Sequence, residues 1–288
     1  MTTLGLTLTD AKQRLASVSS SSSLDAQLLL AEVLDVSRAH VIAHPEKVLT
    51  PEQAATYESL IARREKGEPV AYILGQRAFY DREFLVTPAV LIPRPETELL
   101  LEEALHFAQN NFDAGGAQSA APLQVVDVGT GSGALAVTFA AHISQAQVYA
   151  TDISQEALFV AQKNAALQNV KITFFQGDLL LPLIERGIKV DIVMANLPYI
   201  ASDEVPTLEV SQFEPITALD GGGDGLDLVR NLLAQIPSVA NPNALILLEI
   251  GARQGTVALE AVNAALAANK AVVIPDYAGH DRIVRVEL

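Results

Sequence analysis

Cysteine is absent from the chain. That excludes disulfides, thiolate nucleophiles and thiolate metal sites. The five histidines are scattered, and no metal centre is expected. No apolar stretch approaches the roughly 20 residues of a membrane span. The opening MTTLGLTLTDAKQRL also lacks the basic start and apolar core of a signal peptide, and a soluble cytoplasmic protein is the expectation. Positive charge is scarce too: 19 Lys and Arg face 34 Asp and Glu, for a formal net charge of −15, with no basic run. Gripping a phosphate backbone takes clustered Lys and Arg whose counterion release drives binding. Direct nucleic-acid binding is therefore disfavoured, and a protein or small-molecule partner is expected.

With 288 residues, 50% of them apolar, the chain has material for one large core and a smaller appended domain. Residues 1–75 read as a small helical domain. Thr9 can cap a first helix, and DAQLLLAEVL (Asp25 to Leu34) has helical apolar spacing. Thr50-Pro51-Glu52-Gln53 combines a capping box with a proline at the first helical position, and the serines from Ser19 to Ser23 read as an interhelix loop. From Arg77 the pattern changes: FYDREFLVTP alternates polar and apolar positions, as a hairpin does, and residues 76–92 read as a linker. VLIPRPETELLLEEALHFA then reads as a proline-bounded turn entering an acidic amphipathic helix, and Asn110 to Pro122 as a mobile small-residue loop. Over residues 93–288 strands and helices alternate to the end. That pattern predicts a doubly wound, mostly parallel α/β sheet with its ligand at the carboxyl ends of the strands.

VVDVGTGSGALAVTFAA reads as a buried strand, a glycine loop and an apolar helix, an arrangement that presents backbone N–H groups to a nucleotide-like ligand. The loop is Gly129, Thr130, Gly131, Ser132 and Gly133. Followed by Ala134, it also satisfies the dinucleotide pattern, so by itself it does not separate S-adenosylmethionine from NAD. The carboxylates around it favour the former. Asp127 precedes the first glycine by two positions, where it can meet a cationic amino-acid moiety and would repel a pyrophosphate. Asp152 ends the next apolar strand about 20 residues on, the place of a carboxylate that grips ribose hydroxyls. Asp178, at the end of KITFFQGDLL, can accept from an adenine amino group, with Leu179 packing on the ring. As alternatives to these roles, Asp127 and Asp178 are also residue types that cap helices and form turns.

The apolar run VDIVMA delivers Asn196-Leu197-Pro198-Tyr199 into a strand-end loop. A planar nitrogen is a poor nucleophile because its lone pair is delocalised, and a site that alkylates it needs two acceptors on its N–H groups. Asn196 offers its side-chain carbonyl, and its NH₂ can touch the cofactor. Leu197 offers its backbone C=O, Pro198 stiffens the turn, and Tyr199 offers a flat face for a planar group. Asn196, Pro198 and Tyr199 are the expected catalytic residues, with Leu197 completing the substrate contact. Read as structure alone, the tetrapeptide is a turn closing a strand.

Taken together, DAQLLLAEVL, RREKGEPVAYILGQRAFYDREF, LIPRPETE (Leu91 to Glu98), DVGTGSGALA, TDIS, GDLL, FEPITALDGGGDGLDL (Phe213 to Leu228), LLEIGARQG and DYAGHDR resemble the bacterial release-factor glutamine N5-methyltransferases, the HemK or PrmC family. The resemblance is collinear over nearly the whole chain. It implies a class I S-adenosylmethionine-dependent methyltransferase fold. It also implies methyl transfer to the side-chain amide of the glutamine in the Gly-Gly-Gln motif of class-1 peptide chain release factors, with S-adenosylhomocysteine as product. The helical N-terminal domain would help hold the release factor. One departure is Leu197, where the family has proline, so the tetrapeptide reads as it does in adenine dimethyltransferases of ribosomal RNA. If residue 197 acts only through its carbonyl, its side chain should matter little, and what is lost is proline's rigidity, roughly 0.4–1 kcal/mol. The alternative reading is an adenine N6-methyltransferase acting on RNA or DNA. Gly221 to Gly225 reads as a turn with some gating over the substrate.

Overall fold

The computed structural model describes residues 3–113, 122–266, 268 and 270–288. The chain divides into two compact units, Met1–Gln76 and Arg77–Leu288. The first is all helical: α1 (Leu4–Leu15), α2 (Ser22–Leu34), α3 (Arg38–Ala43), α4 (Pro51–Glu65) and α5 (Val70–Leu74). Leu15, Leu29, Leu30, Tyr57 and Ile61 form its core. The capping box at Thr50 forms as its local chemistry dictates, with Gln53 answering the cap. Thr9 does not cap. The helix starts earlier, capped by Thr3, and Thr9 lies inside it with its hydroxyl donating to the Gly5 carbonyl. The serine loop also ends sooner, since Ser22 and Ser23 are already helical.

In the second unit the hairpin of β1 (Gln76–Phe79) and β2 (Arg82–Leu85) turns at Tyr80 and Asp81, with Tyr80 left-handed at φ 57°. Helix α6 (Thr97–Ala108) runs on into a π-helical turn, Gln109–Asp113. The expected small-residue loop is thus helical at its start, and 114–121 lie outside the described residues. The strands are β3 (Gln124–Val128), β4 (Gln147–Asp152), β5 (Thr173–Gln176), β6 (Val190–Ala195), β7 (Ala240–Glu249), β8 (Lys270–Pro275) and β9 (Asp281–Glu287). Between them lie α7 (Ala134–His142), α8 (Gln155–Leu167), α9 (Leu181–Ile184), α10 (Asp227–Gln235) and α11 (Gly255–Ala265).

The seven strands are ordered β5-β4-β3-β6-β7-β9-β8, with β9 alone antiparallel. A mostly parallel sheet covered on both faces needs apolar residues on both, which explains why β3 and β6 are apolar apart from Gln124, Asp127 and Asp191. Alternate residues feed opposite cores. Val125 and Ile192 join Leu101 and Phe139 on one face, whereas Val126 and Val193 join Leu232 and Val262 on the other. The alternation of strand and helix fails only at the end, where β8 and β9 are joined directly through the DYAGHDR turn. Strand order reverses at β3, which pairs with β4 on one side and β6 on the other. In such sheets ligands bind at that reversal, outside the carboxyl ends. Among the described residues no helix is long and apolar enough to cross a membrane, and no cluster of metal-ligating residues occurs.

Candidate active site

Register brings the two motif loops together. At the end of β6, Ala195 pairs with Val128 of β3 on one side and Leu248 of β7 on the other. One step further on, Asn196 is level with Gly129 and Glu249. The glycine loop turns immediately there: the Gly129 and Thr130 N–H groups donate to the Thr151 carbonyl at 2.9 and 3.0 Å. Gly129, Gly131 and Gly133 have φ of 70°, 54° and 82°, left-handed backbone that other residues rarely adopt.

The acidic residues sit around that turn. Asp127 is 1% exposed. Its Oδ2 accepts from the Thr130 hydroxyl at 2.6 Å and the Ala136 N–H at 3.2 Å. Burial nevertheless pushes its carboxyl up to about 7. Asp152 accepts from the N–H groups of Gly131 and Ser154, both at 2.9 Å. Burial raises its pKa too, with these two donors pulling it back. Asp178 is exposed, while Leu179 is buried and held at φ 49°. That conformation is strained for a leucine.

One cavity gathers most of the residues singled out in the sequence. Asp127, Gly129, Thr130, Gly131 and Ser132 line it at the end of β3. Asp152, Asp178 and Leu179 follow from the next strands, and Asn196, Leu197 and Pro198 from β6. Two expected residues stand outside the lining. Gly133 is the buried residue at the start of α7, where a Cβ would meet Ala161 at 3.1 Å. Tyr199 is half-buried, and its hydroxyl donates to Glu249 Oε1 at 3.3 Å. Burial pushes its phenol up to about 12.

Several lining or supporting residues fall outside the expected site. Thr97 and Arg94 line the cavity from the LIPRPETE segment, and Pro215, Thr217 and Ala218 from the loop after β6. The two segments are clasped by Arg94 and buried Glu214, 2.5 Å apart, with Glu214 Oε1 also accepting from the Ile92 N–H. The Asn196 NH₂ donates to Thr97 Oγ1 at 2.9 Å. Their motifs were legible as strings, but no spacing rule joins residues 99 apart in sequence. The Leu197 side chain is 4% exposed and packs in the core beneath the loop. Gly221 to Gly225 also stand outside the lining. They buttress the tetrapeptide from behind. Gly221 N–H donates to the Ile200 carbonyl at 2.8 Å, and a Cβ at Gly225 would run into the Tyr199 carbonyl.

Known proteins share this organisation. Residues 7–75 match the family model described as PrmC N-terminal domain, and residues 125–210 one described as Methyltransferase domain. The release factor glutamine methyltransferase of Moorella thermoacetica is 40% identical over 262 residues, covering 90% of this chain and 89% of that protein. The Bacillus subtilis enzyme of the same name is 38% identical over 261 residues, again 90% and 89%. Among solved structures, the hMettl16 catalytic domain superposes with a TM-score of 0.53 at 14% identity, over 83% of this chain and 81% of that one. The Thermus thermophilus 16S rRNA N2 G1207 methyltransferase gives 0.51 at 17%, over 74% and 49%. At that distance the likeness speaks for the fold alone. With sequence identity this high over nearly the full length of both chains, the protein belongs to the release factor glutamine methyltransferase family.

Proposed function

We propose that the cavity binds S-adenosylmethionine and that Asn196 and Leu197 present to it the side-chain amide of the glutamine in the Gly-Gly-Gln motif of class-1 peptide chain release factors. The observation that carries this reading is Asn196 standing in one cavity wall with the glycine loop and Asp152. The residues fit the cofactor. Three carboxylates, Asp127, Asp152 and Asp178, line the cavity, which suits a cation and opposes a pyrophosphate. A carboxylate has about four lone-pair directions. Asp152 engages two backbone N–H groups and keeps acceptors for a ribose diol. Asp127 faces the amino-acid end, while Asp178 and Leu179 serve the adenine.

Bound there, S-adenosylmethionine supplies an electrophilic methyl carbon on a sulfonium. Asn196 Oδ1 and the Leu197 carbonyl accept the two amide N–H groups, which orients the nitrogen and favours its leaving planarity. Pro198 stiffens the turn that holds both acceptors. Tyr199 supports the loop from behind through Glu249. The wall of Pro215, Thr217 and Ala218 limits water and holds the glutamine in line. The departing proton needs no dedicated base, since it leaves after alkylation. The helical unit serves as a docking surface for the release factor.

The test is transfer of labelled methyl to a release factor and to the same factor with Gln→Ala in Gly-Gly-Gln. Label is expected only in the first. Asn196→Ala should lower kcat on the order of 10²–10³-fold with a smaller effect on cofactor affinity. Label in RNA or DNA and none in the release factor would instead select the adenine reading that the NLPY spelling suggests.

A further inference from the structure

We propose that Thr97 is a positioning residue that sets which end of the Asn196 amide faces the substrate. The inference rests on the reaction proposed above. An asparagine side chain presents an acceptor at one end and two donors at the other, and only the acceptor end is useful to an incoming N–H. The two orientations have nearly the same shape, so hydrogen bonding must choose between them.

The choice is made behind the loop. Asn196 Nδ2 donates to Thr97 Oγ1 at 2.9 Å. A hydroxyl has two lone pairs and one hydrogen, so it can receive Asn196 most cleanly when its own hydrogen is engaged elsewhere. Glu249, 1% exposed on the strand beside β6, carries a carboxyl that burial pushes up to about 7 and that the Thr97 hydroxyl draws part of the way back. The Tyr199 hydroxyl donates to its Oε1 at 3.3 Å, while Oε2 has no partner among the described residues. The direction of donation therefore runs from Asn196 to Thr97. With the Asn196 NH₂ committed to Thr97, Oδ1 is the end left for the glutamine. Neither Glu249 nor Tyr199 lines the cavity.

Thr97→Val keeps the shape and removes the acceptor. It should lower kcat for methyl transfer about tenfold, equal to about 1.4 kcal/mol, while cofactor affinity by calorimetry stays within about twofold. Thr97→Ser should restore most of the rate. In an Asn196→Ala background Thr97→Val should cost almost nothing further, because there is no amide left to orient. A readout independent of turnover is the Asn196 side-chain ¹⁵N–¹H₂ signal. Its slow proton exchange should be lost in Thr97→Val and kept in Thr97→Ser. Wild-type kcat and an unchanged Asn196 signal in Thr97→Val would overturn the inference, as would full multiplicative losses in the double variant. Failure of the wild type to methylate a release factor would count against the function alone, since the ¹⁵N measurement still decides the orientation.

Discussion

Replacing Leu197 with alanine should destabilise the second unit while sparing chemistry, the reverse of what an active-site loop residue suggests. Its side chain is 4% exposed and packs in the cluster that contains Val128, Leu226 and Leu248. Its Cδ2 would stand 3.0 Å from a Cβ at Gly129, so it also fills the gap between the two motif loops. Buried Leu→Ala changes cost about 2–5 kcal/mol depending on how far the site relaxes. This one borders the cavity on one side, so the lower half of that range applies, about 2–3 kcal/mol. For a unit of this size each kcal/mol moves the midpoint by roughly 2–4 °C. A fall in Tm of about 4–12 °C follows, measured by calorimetry without cofactor, with kcat at 20 °C within about threefold of wild type. Leu197→Pro should lose less, since its ring refills part of the space and its fixed φ contributes about 0.4–1 kcal/mol. An unchanged Tm in Leu197→Ala would refute the packing argument. A collapsed kcat with full stability would show that the side chain acts on the substrate.

Asp152→Ala should weaken S-adenosylmethionine binding by about 1.5–3 kcal/mol and also loosen the glycine loop, whose Gly131 N–H it holds; unchanged affinity in a folded variant would remove Asp152 from the site. The Asp127 carboxyl, pushed up to about 7 by burial, must ionise to hold a cation. Cofactor affinity should therefore be full above pH 7 and fall as pH drops from 7 toward 5, at most about tenfold per unit. Asp127→Asn should flatten that slope, and a slope that survives in the variant would assign the titration elsewhere. Deleting residues 1–76 should leave cofactor affinity nearly intact, because the cavity lining lies wholly in the second unit. It should raise KM for an intact release factor far more than for a Gly-Gly-Gln peptide. Equal losses on both substrates would mean that the helical unit stabilises the fold and does not select the partner.

By itself the sequence determined whatever is local or periodic. The Thr50 capping box forms because its partners are three residues apart. The apolar runs of β3 and β6 announce a sheet buried on both faces, and the glycine spelling forces a left-handed turn after β3. Asn196 follows β6 directly, as its apolar run predicts. Tertiary structure decided the rest. Thr97 and Asn196 meet because α6 packs against the sheet with its first residue beside the end of β6. Leu197 became core and Gly221 to Gly225 a buttress. Which atoms a loop presses against depends on segments far away in sequence, and no local preference encodes them.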